Sequence, residues 1–229
     1  MAEPVSTEVS QAKVARRATT PVAGAVAGIA FAVLFGVSMT ISRQIMGDTA
    51  DSGAWLSGDT ELFKFALALV PFAGLAFLWF IGVARARLGT KEDQFFSTVL
   101  LGSGLLFLAM VFAAAATTGA IVAAAANDPE GFAASTTYAF ARQAVAQILT
   151  IFALRMAAVF LLSQATLWLR TRVMPRWMAL VTIVVALVLL FVFTQSWWVV
   201  LVFPVWVLLV SVFILVAPLG EGQTADPPQ

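Results

Sequence analysis

The chain contains no cysteine and no histidine among its 229 residues. Without cysteine it can form no disulfide, no thiolate nucleophile and no iron–sulfur or zinc–thiolate site of its own. Without histidine it lacks the most frequent general base and the commonest protein ligand for zinc, copper and haem iron. These two absences exclude most thiol-dependent and metal-dependent chemistry, and we predict neither a metal site nor a cofactor.

Charged residues are also scarce: they make up 11% of the chain, whereas hydrophobic residues make up 61%. A soluble domain carries about 25% charged and about 45–50% apolar residues. A water-soluble fold of this composition would expose more apolar surface than a monomeric protein tolerates. The composition therefore predicts an integral membrane protein. Because the basic residues lie at the ends of apolar runs and form no extended stripe, we predict no binding to nucleic acid.

Six apolar stretches are long enough to cross a bilayer, for which a helix needs about 20 residues. They are Pro21–Ile45, Leu62–Ala84, Phe95–Ala126, Tyr138–Leu169, Trp177–Thr194 and Trp198–Ala217. The last two are separated by a short polar break around Gln195 and Ser196, which we interpret as the turn of a tight helical hairpin. We predict an all-α, polytopic bundle of six spans over residues 21–217, between disordered cytoplasmic tails at residues 1–20 and 218–229.

Lysine and arginine indicate the orientation, because the cytoplasmic loops of membrane proteins are enriched in them. Most basic residues precede the first span or lie between spans two and three or four and five: Lys13, Arg16, Arg17, Arg85, Arg87, Lys91, Arg170, Arg172 and Arg176. The alternate loops carry acids: Asp48, Asp51, Asp59, Glu61, Asp128 and Glu130. This pattern predicts that both termini are cytoplasmic. In composition alone, the Ala- and Val-rich spans resemble those of membrane proteins from high-GC bacteria, so we predict a multi-pass protein of the bacterial inner (plasma) membrane.

Small residues recur at four-residue spacing in the first span, at Gly24, Gly28, Ala32 and Gly36. Residues four apart share one face of a helix. Small side chains on that face let another helix backbone approach closely. Two interpretations remain open: this face packs against a neighbouring span of the same chain, or it forms a homodimer.

The third and fourth predicted spans are longer than a bilayer requires, so we expect them to tilt or to project from the outer surface. Between them, the segment Asn127–Glu130 would form the tip of an outer hairpin. We interpret this tip as a solvated loop, with a partner-facing element as the alternative.

The fourth predicted span is the most polar, and five of its residues are candidate contacts for a ligand or partner: Arg142, Gln143, Gln147, Thr150 and Arg155. Gln143, Gln147 and Thr150 share one face through their spacing of i, i+4 and i+7. Arg155 points about a third of a turn away from this stripe. The span also contains Gln164.

Arg155 lies near the middle of its span, where an arginine costs about 2.5–3.5 kcal/mol on insertion scales. None of the predicted spans contains Asp or Glu away from its ends. Three interpretations remain open. In the first, Arg155 is a structural residue whose hydrogen bonds go to backbone carbonyls and water at a helix junction. In the second it binds an anion or a lipid headgroup, and in the third it forms an ion pair with a separate membrane protein.

Enzymatic catalysis and proton-coupled transport are both disfavoured, because they use His, Asp, Glu or an activated Lys within the membrane. The favoured interpretation is a non-catalytic subunit, scaffold or assembly component of a membrane complex. The alternative is a transporter or channel for a small solute or lipid, with a polar cavity around Arg155. The expected partners are membrane lipids and either another membrane protein or a second copy of the chain.

Overall fold

The structure, a computed structural model, describes the backbone of residues 5–47, 50, 52–58, 60–86, 94–172, 174–191 and 197–216. Within these ranges it describes every side chain except those of residues 5–21, 86, 94 and 197. All regular structure in these ranges is helical, and they contain no strand. The predicted all-α bundle is therefore confirmed.

Eight α-helices follow one another in the described part of the chain. They are α1 (Val5–Met46), α2 (Glu61–Ala86), α3 (Gln94–Ala124), α4 (Pro129–Ala133), α5 (Thr136–Gln147), α6 (Leu154–Thr171), α7 (Arg176–Phe191) and α8 (Trp197–Val216). A 3-10 turn, Ala54–Ser57, lies between α1 and α2. A π-helical segment, Ile148–Ala153, joins α5 to α6, so that Thr136–Thr171 forms one continuous rod of 36 residues.

Five helices among the described residues are long and apolar enough to cross a membrane. They are Val22–Met46, Glu61–Arg85, Phe95–Ala124, Thr136–Thr171 and Trp198–Val216. The chain is therefore a multi-pass membrane protein. The remaining predicted span corresponds to α7, which has 16 residues. The described part is about 24 Å long, less than a hydrocarbon core about 30 Å thick, and the residues that follow, 192–196, lie outside the described ranges. The sixth crossing and the cytoplasmic position of both termini therefore stay predictions.

In the N-terminal segment the described backbone of α1 is helical from Val5 onwards, and the disordered cytoplasmic tail expected at residues 1–20 stays a prediction. Residues 5–20 contain neither glycine nor proline. Once the adjoining span has formed a helix, each further residue adds a hydrogen bond without a new nucleation cost. The predicted C-terminal tail, residues 218–229, and the turn predicted at Gln195 and Ser196 lie outside the described residues.

The helices pack in a defined set of neighbours. α1 lies between α2 and α8, α3 packs along the rod of α5 and α6, and α7 packs along α6. Although α7 and α8 follow one another in the chain, α7 packs mainly against α6, and α8 packs mainly against α1. The two helices that were predicted to form a tight hairpin therefore have different main packing partners.

The two ends of the bundle carry different side chains. At one end, the Arg170 guanidinium lies 4.5 Å from the centre of the Phe96 ring, which brings the end of α6 to the start of α3. Arg85, in the last turn of α2, and Arg176, the first residue of α7, lie at this same end of the bundle. The other end carries the 3-10 turn and α4, which contact each other. Following the predicted orientation, we call the arginine-rich end the inner end and the opposite one the outer end.

Seven phenylalanines fill the centre of the bundle, and each is at most 3% exposed. They are Phe31, Phe35, Phe77, Phe80, Phe107, Phe160 and Phe203, contributed by α1, α2, α3, α6 and α8. The Phe77 ring is the hub of this set, which we call the phenylalanine core: its centroid lies 4.7–6.0 Å from those of five other members. Aromatic pairs of this kind add about 0.5–1.5 kcal/mol each beyond the burial of their area.

Candidate functional site

The π-helical segment Ile148–Ala153 sets the geometry around Arg155. In a π-helix each backbone N–H reaches the carbonyl five residues earlier, so the turn is wider than in an α-helix. Such segments are rare and often lie at functional sites. This one interrupts the rod near its middle, and Arg155 follows two residues after its end. The return from π- to α-helical bonding therefore occurs beside the guanidinium.

Arg155 donates hydrogen bonds to carbonyls of this same segment. Its Nη1 atom lies 3.2 Å from the carbonyl oxygen of Thr150 and 3.0 Å from that of Ile151. Hydrogen bonds that involve a charged group contribute about 1.5–3 kcal/mol, which is comparable with the insertion cost of an arginine. These contacts are the ones expected of an arginine held by backbone carbonyls at a helix junction.

Arg155 is half-buried and lies between an exposed and a buried part of the rod. One turn earlier, Phe152 is 55% exposed. Residues next to Arg155 in α6 are buried: Leu154 is 1% exposed, and Ala157 and Ala158 are fully buried. The part of the rod around the arginine, which we call the Arg155 face, consists of the exposed Phe152 and the half-buried Ile148, Ile151, Arg155 and Val159.

The three residues of the polar stripe predicted next to Arg155 differ in how far they are buried. Gln143 is exposed, Gln147 is half-buried and Thr150 is buried. The Thr150 hydroxyl donates to the carbonyl of Ala146 at 2.8 Å, so Thr150 meets Arg155 through its backbone carbonyl. Arg142 is half-buried in α5 and lies about 20 Å from Arg155 along the rod. The structure therefore places the candidate residues along one helix without gathering all of them around one site.

Two cavities bounded by described residues lie away from Arg155. The first, with a volume of about 30 Å³, is lined by Met39, Ser42, Met46, Phe63, Leu67, Val70, Val111, Ala114, Ala115, Thr118 and Leu149. It is about as large as one water molecule. The second, with a volume of about 260 Å³, is a groove between α7 and α8. Arg155 lines neither cavity, so neither matches the polar cavity predicted around it.

Most of the small-residue face of α1 packs inside the chain. A Cβ atom added to Gly24 would lie 2.6 Å from Val83 Cγ1 of α2, and one added to Gly28 would overlap Ser211 Oγ of α8. Ala32 is 7% exposed. At Gly36, by contrast, an added Cβ would have no atom of a neighbouring element within 4 Å. Gly24, Gly28 and Ala32 are thus occupied by internal packing, which removes them from the predicted homodimer surface.

The outer end carries a cap that the sequence pattern did not indicate. Trp55 Nε1 donates to Tyr138 Oη at 3.1 Å, and Tyr138 Oη donates to the carbonyl of Ala50 at 2.6 Å. Trp55 is 5% exposed and Tyr138 is 2% exposed. The α1–α2 connection is therefore docked on α5. A possible signal was that Tyr138 is the single tyrosine of the chain and begins a predicted span.

The hairpin tip, which we interpreted as a solvated loop, is exposed on one side and packs against the cap on the other. Asp128 caps α4 by accepting a hydrogen bond from the Gly131 amide at 2.9 Å, and both residues are exposed. The other side of α4 packs on the cap: the Phe132 ring lies 6.1 Å from that of Tyr138. At Gly53, where φ is +74°, an added Cβ would lie 2.7 Å from Ala133 Cβ. Glycine at this position therefore permits both the turn and the close approach.

Comparisons of this chain with protein-family models, with curated proteins and with solved structures give no match. Its function is therefore inferred from its own side chains and their contacts.

Proposed function

We propose that this chain is a non-catalytic component of a protein complex in the bacterial inner membrane, and that the Arg155 face binds a transmembrane segment of a partner protein. The observation that supports this most is the position of Arg155. It lies near the middle of Thr136–Thr171, the longest of the five candidate spans among the described residues, and it is half-buried next to the exposed Phe152. A charged residue at that depth is costly in lipid and by default indicates a functional contact.

The packing of the bundle favours this proposal over transport of a solute. The phenylalanine core occupies the centre, where a passage for a polar substrate would have to run. Several buried hydroxyls of the bundle donate to carbonyls of their own helices, as Ser103, Thr118 and Thr182 do at 2.6–2.8 Å. Their protons are thus engaged within single helices, and the cavity that Thr118 lines has room for about one water molecule.

The chemistry of the partner follows from the guanidinium. The guanidinium of an arginine is planar, remains charged and binds a carboxylate through two parallel hydrogen bonds. The neighbours of Arg155 on its face are apolar: Ile148, Ile151, Phe152 and Val159. A complementary partner is therefore an apolar helix that carries one Asp or Glu at mid-membrane depth.

The experiment that tests the proposal is purification of the tagged full-length chain from its native membrane in polymer-bounded nanodiscs. We expect a stoichiometric partner with the wild-type chain, strong loss of that partner with Arg155→Leu, and partial retention with Arg155→Lys. Arg176→Leu is the matched control, because it removes an exposed arginine at the inner end and should leave the partner bound.

Site-specific photo-crosslinking locates the contact. A photoreactive residue at Phe152 should form an adduct with the partner, whereas one at Phe72, which is 63% exposed on α2, should not. Recovery of the wild-type chain as a monomer or homodimer with ordered lipid would contradict the proposal and support the transporter alternative. So would equal partner retention by the wild type and Arg155→Leu.

A further inference from the structure

The small cavity near the outer end is lined by two hydroxyls that the proposed function does not use. The cavity has a volume of about 30 Å³ and lies between α1, α2, α3 and the π-helical segment. All of its lining side chains are apolar except those of Ser42 in α1 and Thr118 in α3. Ser42 is 5% exposed and Thr118 is 8% exposed. The cavity is therefore a polar point inside an apolar part of the bundle.

Ser42 differs from most buried hydroxyls of the bundle in its hydrogen bonding. Thr150 and Thr182, for example, donate to the carbonyl four residues earlier in their own helices. The Ser42 hydroxyl makes no hydrogen bond with any residue that the structure describes. A buried hydroxyl without a hydrogen bond costs free energy, because it has lost its contact with water and gained none in return. A ligand in the cavity would supply the missing contact.

The two hydroxyls lie at similar depths on two sides of the cavity. Ser42 lies four residues before Met46, which ends α1, and Thr118 lies six residues before Ala124, which ends α3. At 1.5 Å per residue, these positions are about 6 Å and about 9 Å below the ends of their helices. Both helices end at the outer end of the bundle, so one ligand in the cavity is placed to meet both hydroxyls.

The chemistry of the ligand follows from these two groups. The Thr118 hydroxyl donates its proton to the Ala114 carbonyl at 2.8 Å, so towards the cavity it acts as an acceptor, whereas Ser42 can donate. The ligand must therefore both accept and donate, as water does and a hydrocarbon chain does not. A cavity of at least about 10–15 Å³ can hold a water, which needs two to four polar partners. The thioethers of Met39 and Met46, which also line the cavity, are weak additional acceptors.

We propose that this cavity binds one internal water molecule, which accepts a hydrogen bond from Ser42 Oγ and donates one to Thr118 Oγ1. The water joins α1 to α3 below the outer cap. Phe63 connects the two features, because it lines the cavity and its ring packs on that of Trp55 at 4.7 Å between centroids. This inference does not depend on the Arg155 face or on its proposed protein partner.

The test is a map of the full-length chain in lipid nanodiscs at a resolution that shows ordered water. We expect one compact density about 2.7–2.8 Å from Ser42 Oγ and from Thr118 Oγ1, and its loss in Ser42→Ala. Ser103→Ala is the matched control and should keep the density. Ser103 is also a buried serine, but its hydroxyl donates to the Val99 carbonyl of its own helix and it does not line the cavity.

A second measurement covers the case in which Ser42→Ala fails to fold. Xenon binds in apolar cavities that hold no water. Xenon pressure should therefore leave the methyl NMR signals of Met39 and Met46 unshifted in the wild type and shift them in Thr118→Val, which removes the acceptor of the water. The methyl signal of Met178, which is 4% exposed in α7 and does not line the cavity, is the reference.

Two results would overturn the proposal. One is a wild-type map without density between Ser42 and Thr118, and the other is a xenon-induced shift of the Met39 and Met46 signals in the wild type. An elongated density that runs from the cavity into the surrounding lipid would also overturn it, because that shape assigns the cavity to an acyl chain.

Discussion

The Nη1 atom of Arg155 lies 3.0 Å from the carbonyl oxygen of Ile151, one turn earlier on the same rod. That carbonyl belongs to the π-helical segment, as does the Thr150 carbonyl that accepts a second hydrogen bond at 3.2 Å. The π-helical segment thus provides two carbonyl acceptors for the guanidinium. An arginine whose charge is stabilised by these two carbonyls can insert into the membrane before any partner binds.

We expect Arg155→Leu to insert at least as well as the wild type, because it removes a charge that costs about 2.5–3.5 kcal/mol at mid-membrane. Alkaline extraction and glycosylation mapping of the outer loops measure the inserted fraction. The folded chain should nevertheless lose about 1.5–3 kcal/mol of unfolding free energy, because it loses the hydrogen bonds from a charged donor to two part-buried carbonyls. Failure of Arg155→Leu to insert would show that the guanidinium is needed for biogenesis and contradict this account.

Gly28 and Gly36 should respond to alanine in opposite directions. A methyl group at Gly28 would overlap Ser211 Oγ and lie 2.9 Å from Phe80 Cδ2, whereas one at Gly36 meets nothing within 4 Å. Overpacking costs about 1–3 kcal/mol, while Gly→Ala in open helical positions stabilises by about 0.4–1 kcal/mol. Unfolding by sodium dodecyl sulfate in mixed micelles should therefore show Gly28→Ala less stable than wild type and Gly36→Ala equally or more stable.

Ser211→Gly tests the cause of the Gly28 effect. Its Oγ is buried and has no hydrogen-bond partner in the structure, so removing it relieves the overlap without breaking a hydrogen bond. We expect the combination with Gly28→Ala to recover part of the lost stability relative to the sum of the single changes. Strict additivity of the two changes would argue against direct contact at this α1–α8 crossing.

The sequence was sufficient to predict the fold class because hydrocarbon imposes a simple constraint. Backbone groups in lipid must be satisfied within one segment, so a long apolar run forms a helix. For α7, the apolar run from Trp177 to Thr194 predicts a full span, and the structure describes a helix over Arg176–Phe191 of it. The end of this run lies outside the described residues.

The candidate site was predictable only in part. Arg155 stands out in the sequence because a charge in an apolar run is rare, but its acceptors depend on a π-helical segment whose residues, such as Leu149 and Phe152, are ordinary for a membrane helix. The cap formed by Trp55 and Tyr138 joins residues 83 positions apart. No local periodicity encodes such a contact. The phenylalanine core was missed for the same reason, since its members come from five different helices.

Phe77→Ala should be among the most destabilising single substitutions in the bundle. The Phe77 ring is fully buried and contacts five other rings of the phenylalanine core. Truncation of a buried phenylalanine costs about 3–5 kcal/mol through lost contacts and the remaining cavity. Phe72→Ala on the same helix is the matched control, because Phe72 is 63% exposed and lipid can fill the space it vacates. Similar unfolding free energies for both variants would mean that the core is not packed as described.

Tyr138→Phe should loosen the outer cap without disturbing the membrane-spanning helices. The change removes the acceptor of Trp55 Nε1 and the donor to the Ala50 carbonyl while keeping the ring. Leaving buried polar groups without partners costs about 1–3 kcal/mol. We expect lower thermal stability and faster amide hydrogen exchange in residues 52–58, with unchanged exchange in α3.

A double-mutant cycle with Trp55→Phe isolates the direct contact behind this effect. Residues that share a hydrogen bond show coupling energies of about 0.5–3 kcal/mol, so the double variant should be more stable than the sum of the two single changes implies. Because Trp55 also packs on Phe63 at 4.7 Å between ring centroids, Trp55→Phe alone should cost more than the hydrogen bond. A coupling energy near zero would show that the α1–α2 connection is held by ring packing and that the Trp55–Tyr138 hydrogen bond contributes little to the cap.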